Sequence, residues 1–393
     1  MIKSILTYGV LIILMLVPYQ SFAQQQTGSQ IIHSRVPGMI KKRGLTPIRS
    51  MKKTKQLKLV IDLPLRNQTE LNQLLHQIYN PTSPKFHHYL SHSEFISDFG
   101  PASGNYQAVK AFIKANGFNV TKTYPDKMLL DISGTVSTIE KVFHVHMEIY
   151  KRPGKTSTFF APDAQPSVNL NTTISSIEGL NNYMIPKPAG NGIVNQVNSH
   201  FTKNYKKKNA KTLLTNSNYT GSFYGRDFRK AYVPGISLEG QGQKVGLLEF
   251  NKAYYPSDIE EFDNKVRYGS HLRYVPIKQI LLDGVSGNPD SVGTDEESWD
   301  IEMANAMAPG LDSVVVFDGL NDKHILNAMV HHTSIKQFSA SWAFWTDSTS
   351  SYSYFKELAA QGQSFFNASG DWGRWGVIKP VVIGDPYVTI VGG

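Results

Sequence analysis

The chain has 393 residues, 40% hydrophobic and 18% charged, which fits two globular domains and excludes a disordered or fibrous protein. It has no cysteine, so disulfide cross-links are excluded. The formal net charge of +9 is uneven: residues 1–220 hold 26 Lys+Arg and 10 Asp+Glu (+16), residues 221–393 hold 14 and 21 (−7). The split predicts a basic half that docks on an acidic half, rather than a nucleic-acid-binding surface.

Met1-Ile2-Lys3, an apolar run from Ile5 to Val17, and Ser21-Phe22-Ala23 read as a secretory signal peptide over residues 1–23. The run is too short for a membrane anchor, so the expected localisation is secreted, periplasmic or extracellular. Residues 24–55 are polar and basic without periodicity and predict a flexible tail. A strand follows at Leu57–Leu63 and a helix at Thr69–Ile78, its apolar side formed by Leu71, Leu74, Leu75 and Ile78. The breaker Asn80-Pro81-Thr82-Ser83-Pro84 ends that helix. The pattern continues with a helix near 105–116, strands near 118–124 and 128–132, a helix at Val136–Phe143 and a strand at Val145–Tyr150. Over residues 56–185 this alternation predicts an α+β domain of ferredoxin-like type. Residues 186–217, with Lys203, Lys206, Lys207, Lys208 and Lys211, read as a solvated, protease-accessible linker.

From residue 218 to 393 strands and helices alternate. Lys244–Phe250, Ser313–Phe317, Ile335–Ser339, Ser364–Ala368 and Tyr387–Val391 are apolar strands. Pro256–Val266, a helix opening at Thr294, Asp322–His332 and Ser350–Gly362 are helices. This predicts a doubly wound parallel α/β sheet, in which sites form beyond the carboxyl ends of strands.

The helix after Thr294 carries the densest chemistry. Thr294 and Glu297 make a capping box, Asp295 and Glu296 suit the positive end of the helix dipole, and Pro309-Gly310 stops the helix. At about 100° per residue, Ser298, Glu302 and Asn305 fall on a solvated face, and Glu296, Asp300, Met303 and Met307 on the opposite, buried one. Two carboxylates on a buried face must share a proton or find donors. A surface acidic cluster on a rotated helix is the alternative. Glu249, Ser339-Ala340-Ser341-Trp342 and Ala368-Ser369-Gly370-Asp371 close three of the strands, so the topology puts Glu249, Trp342 and Asp371 at the same sheet edge as Glu296 and Asp300.

In this order the segments resemble the prokumamolisin/sedolisin family of serine-carboxyl peptidases, acid endopeptidases with a subtilisin-like fold. Ser83-Pro84-Lys85-Phe86-His87-His88-Tyr89-Leu90 is similar to the signature of the family's activation domain, and residues 223–232 resemble its mature amino-terminal region. The resemblance implies Glu296 as general base, Asp300 as its orienting partner, Asp371 in the oxyanion hole, and Glu249 and Trp342 as extensions of the acid network. It implies protein or peptide substrates, an intramolecular propeptide and a calcium ion.

The family nucleophile is a serine in Gly-Thr-Ser-x-x-x-Pro. No Gly-Thr-Ser occurs in this sequence, and Tyr387–Gly393 resembles the strand that leads to it. Nucleophile and calcium ligands are therefore expected beyond residue 393, and the chain as given is expected to be inactive. Two readings stay open: the amino-terminal portion of a secreted acid zymogen, or a non-catalytic propeptide-like binding or inhibitory module on a peptidase scaffold.

Overall fold

The computed structural model describes residues 29–183, 186–188, 225–266, 274–289, 295–343, 352–370 and 381–392. The expected signal peptide, most of the expected linker, Thr294 and Asp371 lie outside them. In chain order the amino-terminal domain contains β1 (Ser29–Ile31), α1 (Arg35–Lys42), β2 (Pro47–Ser50), β3 (Gln56–Asp62), α2 (Gln68–Ile78), α3 (His92–Phe99), α4 (Ser103–Ala115), β4 (Asn119–Thr123), β5 (Leu129–Thr135), α5 (Val136–Phe143), β6 (Met147–Lys151), β7 (Thr158–Pro162), β8 (Ser167–Asn169) and β9 (Ser176–Glu178).

Its main sheet has the order β4-β5-β3-β9 with antiparallel neighbours. Alternation along β5 buries Leu130 and Ile132 against Val109 and Ile113 of α4 and Ile139 and Phe143 of α5. The stretch expected to be a flexible tail forms β1, α1 and β2. These pieces are short and take their partners from far along the chain: β1 pairs with β8, and β2 with β6. No local pattern announces such pairings. Helix α3 has a local cause. The Ser91 hydroxyl accepts from the Glu94 amide at 3.2 Å, and the Ser91 amide donates back to Glu94 Oε2 at 2.7 Å.

The carboxyl-terminal domain contains β10 (Lys187–Pro188), α6 (Gly225–Tyr232), β11 (Lys244–Glu249), α7 (Pro256–Val266), β12 (Ile277–Leu281), α8 (Asp295–Met307), β13 (Ser313–Asp318), α9 (Asp322–Val330), β14 (Gln337–Ala340), β15 (Trp342–Ala343), α10 (Tyr352–Ala360), β16 (Ser364–Ala368) and β17 (Val388–Val391). Six strands form a sheet ordered β12-β13-β11-β14-β16-β17, all neighbours parallel. Every residue of β13 is buried, as a strand covered on both faces requires. Gly246 in β11 lies under Phe338, and a Cβ there would come within 2.3 Å of that ring. Because the strands are parallel, their carboxyl ends open on one edge.

Helices α9 and α10 dock on the amino-terminal domain. Leu71, Leu75 and Phe95 share one apolar core with Ile325, Leu326, Tyr354, Phe355 and Leu358. The segment Ser83–Leu90 takes part directly: the Leu90 amide donates to the Ala360 carbonyl at 2.9 Å, and any side chain on Gly362 would strike the Tyr89 ring at 2.6 Å. The expected polarity of docking is reversed at most charged pairs of the contact among the described residues, His92 with Glu357 being the exception. The basic half contributes carboxylates, Asp62, Asp126, Asp131 and Glu178. The acidic half contributes Lys323, His324 and His331 of α9 and the residue after it. Bulk charge counts exposed groups everywhere, whereas docking selects those few that meet at van der Waals range.

Candidate active site

Glu249 is the last residue of β11 and has no solvent exposure. The Trp342 indole Nε1 donates to Glu249 Oε2 at 2.7 Å, and the Phe250 ring meets the indole edge-on at 5.3 Å. Trp342 follows Ser341, whose hydroxyl donates to Asp300 Oδ1 at 2.6 Å. Consecutive residues beyond β14 therefore hold two carboxylates from different elements. Glu249 and Asp300 lie close enough to shift each other's titration. Their remaining oxygens, Glu249 Oε1 and Asp300 Oδ2, are buried and receive no N–H or hydroxyl.

The electrostatics agree. Burial, then the charges of Asp300 and Glu297, push Glu249 well above the usual carboxylate range, against the bond from Trp342. Burial raises Asp300 to about 6, opposed by its bond from Ser341. The pair thus keeps a proton at pH values where free carboxylates have lost theirs.

Helix α8 is rotated relative to the sequence expectation. The residues it buries are Glu297, Ser298, Ile301, Asn305 and Ala306, while Glu296 and Asp300 are only partly covered. Ser298 and Asn305, expected on the solvated face, are inside. Ile301 decides the rotation, because it packs with Leu247, Val314 and Val316 of β11 and β13. A helix with so many alanines and carboxylates has no strong apolar stripe of its own, so the sheet chooses its face. Asp300 is accordingly coupled to Glu249, and Glu296 adds negative potential from further off.

The rotation exposes a residue that sequence reasoning used only as a cap. Glu297 has no solvent exposure, and neither of its side-chain oxygens has a hydrogen-bond partner. Burial and the charge of Asp318 raise it to about 8. Asp318, at the end of β13, accepts from the Asn251 amide and is itself raised by burial. Its place at a parallel strand end was the available signal. Asp371 lies outside the described residues. Just before it, the Ser369 amide is held by the Val391 carbonyl at 2.7 Å, beyond β16.

One short strand reaches this edge from the chain just after the amino-terminal domain. β10 runs antiparallel to β15, with Pro188 opposite Trp342 and Lys187 opposite Ala343. Among the described residues no cluster of three or more His, Asp or Glu is arranged to hold a metal ion, and no helix is long and apolar enough to cross a membrane.

Residues 43–183 match the family model described as Pro-kumamolisin, activation domain. Kumamolisin of Bacillus sp. (strain MN-32) is 23% identical over 299 residues, 72% of this chain and 51% of that protein. Sedolisin of Pseudomonas sp. (strain 101) is 26% identical over 146 residues, 37% of this chain and 25% of that protein. Residues 43–183 are thus similar to the activation domain that precedes such peptidases, and the chain as a whole is similar to kumamolisin and sedolisin. It spans about half the length of kumamolisin and a quarter of that of sedolisin. Among solved structures, Pseudomonas sedolisin (serine-carboxyl proteinase) complexed with two molecules of pseudo-iodotyrostatin aligns at a TM-score of 0.34 and 18% identity, over 43% of this chain and 53% of that one. The activation domain starts inside the stretch first read as a tail, where β2 pairs with β6.

Proposed function

We propose that the protein is the zymogen of a serine-carboxyl endopeptidase that hydrolyses proteins in acid, exported by its amino-terminal signal and covered by its activation domain. In this reading Glu296 takes the proton of the attacking serine, Asp300 orients Glu296, and Glu249 with Trp342 extends the proton path. Asp371, when protonated, donates to the oxyanion. The observation that carries the reading is the line Trp342–Glu249–Asp300–Ser341, in which one oxygen of each carboxyl is buried without a donor. A site built on retained carboxyl protons works where such protons are available, which is in acid.

The sheet order supports a subtilisin-like scaffold, and the order β4-β5-β3-β9 supports a ferredoxin-like activation domain. Pairing of β10 with β15 supports an intramolecular propeptide whose end enters the cleft beside Trp342. The nucleophile is assigned to no residue of this sequence, and no step is routed through calcium. The second reading, a binding or inhibitory module without turnover, draws on the same docked geometry.

Protein expressed from the complete reading frame separates the two when incubated with a denatured protein substrate from pH 3 to pH 8. Acid-dependent substrate cleavage and processing within residues 189–224, both lost in Glu296→Gln and Asp300→Asn, are expected. Intact substrate at every pH supports the inhibitory module. Cleavage that survives Glu296→Gln refutes the assignment of the base.

A further inference from the structure

Helix α9 meets the activation domain through a polar stripe set in an apolar face. Ile325, Leu326, Met329 and Val330 are buried, and Lys323, Asn327 and His331 recur every four residues toward the activation domain. Lys323 Nζ donates to Asp62 Oδ2 at 3.0 Å and to Ser176 Oγ at 2.5 Å. Asn327 Nδ2 donates to Asp126 Oδ2 at 2.5 Å. His324 stands between the domains. Its Nε2 lies 3.0 Å from Asp131 Oδ1 of β5, its Nδ1 contacts Asp283 Oδ1 of its own domain, and the Tyr124 ring stacks on it with centroids 5.8 Å apart.

A neutral imidazole carries one N–H and can donate to only one carboxylate, so the second would face a bare nitrogen lone pair. The imidazolium donates to both. We propose that His324 in its charged form is a clamp that ties Asp131 of the activation domain to Asp283 of its own domain, so docking holds through mild acid and slackens toward alkaline pH. The proposal rests on docking geometry and stands whether or not the peptidase reading does.

The electrostatics give the same sign. Burial lowers the His324 pKa, but its bonds to Asp131 and Asp283 outweigh burial and raise it to about 9. A raised histidine stabilises the paired state fully below the unpaired pKa, and the contribution is lost as pH rises through about 9. Asp283 remains with His324 after undocking, so only the share due to Asp131 belongs to docking. Burial raises the Asp283 pKa, but the bond from His324 leads the effects that bring it below its ordinary value, so its contribution fails only in stronger acid.

The other groups around the clamp do not reverse this. Tyr124 donates to Asp131 Oδ2 at 3.1 Å and is held neutral by burial, with Lys122 above its ring. Asn321 Nδ2 donates to Glu178 at 2.8 Å, and Asp322 neighbours Lys323, whose raised pKa keeps it charged. His92 contacts Glu357 at 2.7 Å beside His331, with Asp126 opposite. Burial lowers His92, but Glu357 outweighs it and raises the pKa, and burial lifts Glu357 to about 7. His92 holds its proton more tightly when paired with Glu357. His92 and His324 therefore tighten the contact as pH falls toward mild acid.

The full chain with labelled histidines, followed by NMR titration and by hydrogen exchange corrected for intrinsic rates, tests the clamp. His324 should remain charged at pH 7.5. Segments 129–135 and 322–330 should keep their protection from pH 7.5 down to pH 5.5 and lose about tenfold by pH 9, one pKa unit being a factor of ten. His324→Gln should lose about tenfold at pH 6 and show no further alkaline loss. Asp131→Asn removes the same link from the opposite domain and decides the matter if His324→Gln fails to fold. Protection that falls between pH 7.5 and pH 5.5, a His324 that titrates near its ordinary value, or an Asp131→Asn variant protected like the wild type would overturn the proposal.

Discussion

Replacing Lys323 with methionine removes the buried ammonium that reaches Asp62 and Glu178, while keeping most of the apolar stem. Lys323 and Asp62 have 0% and 1% side-chain exposure, so water cannot replace the lost charge. Breaking such a pair from one side costs about 3–5 kcal/mol, because the remaining charge stays buried. Asp62 can escape by taking a proton. From an ordinary Asp pKa, full protonation costs about 4 kcal/mol at pH 7 and about 1.5 kcal/mol at pH 5. The destabilisation should therefore be about 4 kcal/mol at pH 7 and less than half of that at pH 5. Urea unfolding with two probes reads it. All five tryptophans lie in the carboxyl-terminal domain, so their fluorescence follows that domain and far-ultraviolet circular dichroism follows both. The probes should coincide in the wild type and separate in Lys323→Met at pH 7. Adding Asp62→Asn should restore most of the loss. A cost below about 1 kcal/mol at pH 7, or the same cost at pH 5, would show that no uncompensated carboxylate is left behind and would refute the reasoning.

Two further outcomes concern the carboxylate cluster. Glu297 has a folded-state pKa raised to about 8, so the native state keeps a proton that the unfolded chain sheds. Its contribution is present below the unfolded carboxyl pKa and fades as pH rises through about 8, a loss of roughly 3 kcal/mol by pH 7. Glu297→Gln cannot titrate and should flatten that part of the stability curve measured by urea midpoints; an unchanged slope would place the proton elsewhere. Trp342→Phe keeps ring contact with Phe250 but leaves Glu249 Oε2 without its donor, which should cost about 1–3 kcal/mol in the same assay. Because the indole bond lowers the Glu249 pKa, its loss should also steepen the fall in stability above neutral pH. Wild-type behaviour on both counts would mean that the indole does not serve Glu249.

The elements with strong periodicity were legible in the sequence. The helix at Val136–Phe143 and the strand at Ser364–Ala368 have the expected bounds, and Lys244–Phe250 differs from β11 by one residue. The meeting of Glu249, Trp342 and Asp300 was legible too, because a parallel sheet sends the carboxyl ends of its strands to one edge. What failed was local where the cause is not local. β1 and β2 are strands only because β8 and β6 accept them more than ninety residues later. The docking polarity was misjudged because four carboxylates of the basic half, Asp62, Asp126, Asp131 and Glu178, are the ones the contact uses. The recurrence of Lys323, Asn327 and His331 every four residues was a readable stripe, but nothing in the sequence says what it faces.

By itself the sequence determined element type, chain order and the edge at which acidic and indole side chains collect, since these follow from the periods of 3.6 and 2 and from strand direction. Tertiary structure alone decided which face of α8 turns inward and which charges meet across the interface. Ile301 has one hydrophobic slot to fill between β11 and β13, and filling it buries Glu297 and leaves Asp300 at the margin, within reach of Ser341 and Glu249. A retained proton, like the imidazolium held between Asp131 and Asp283, is a property of distances of about 3 Å in a place without water, and such distances exist only after packing has closed.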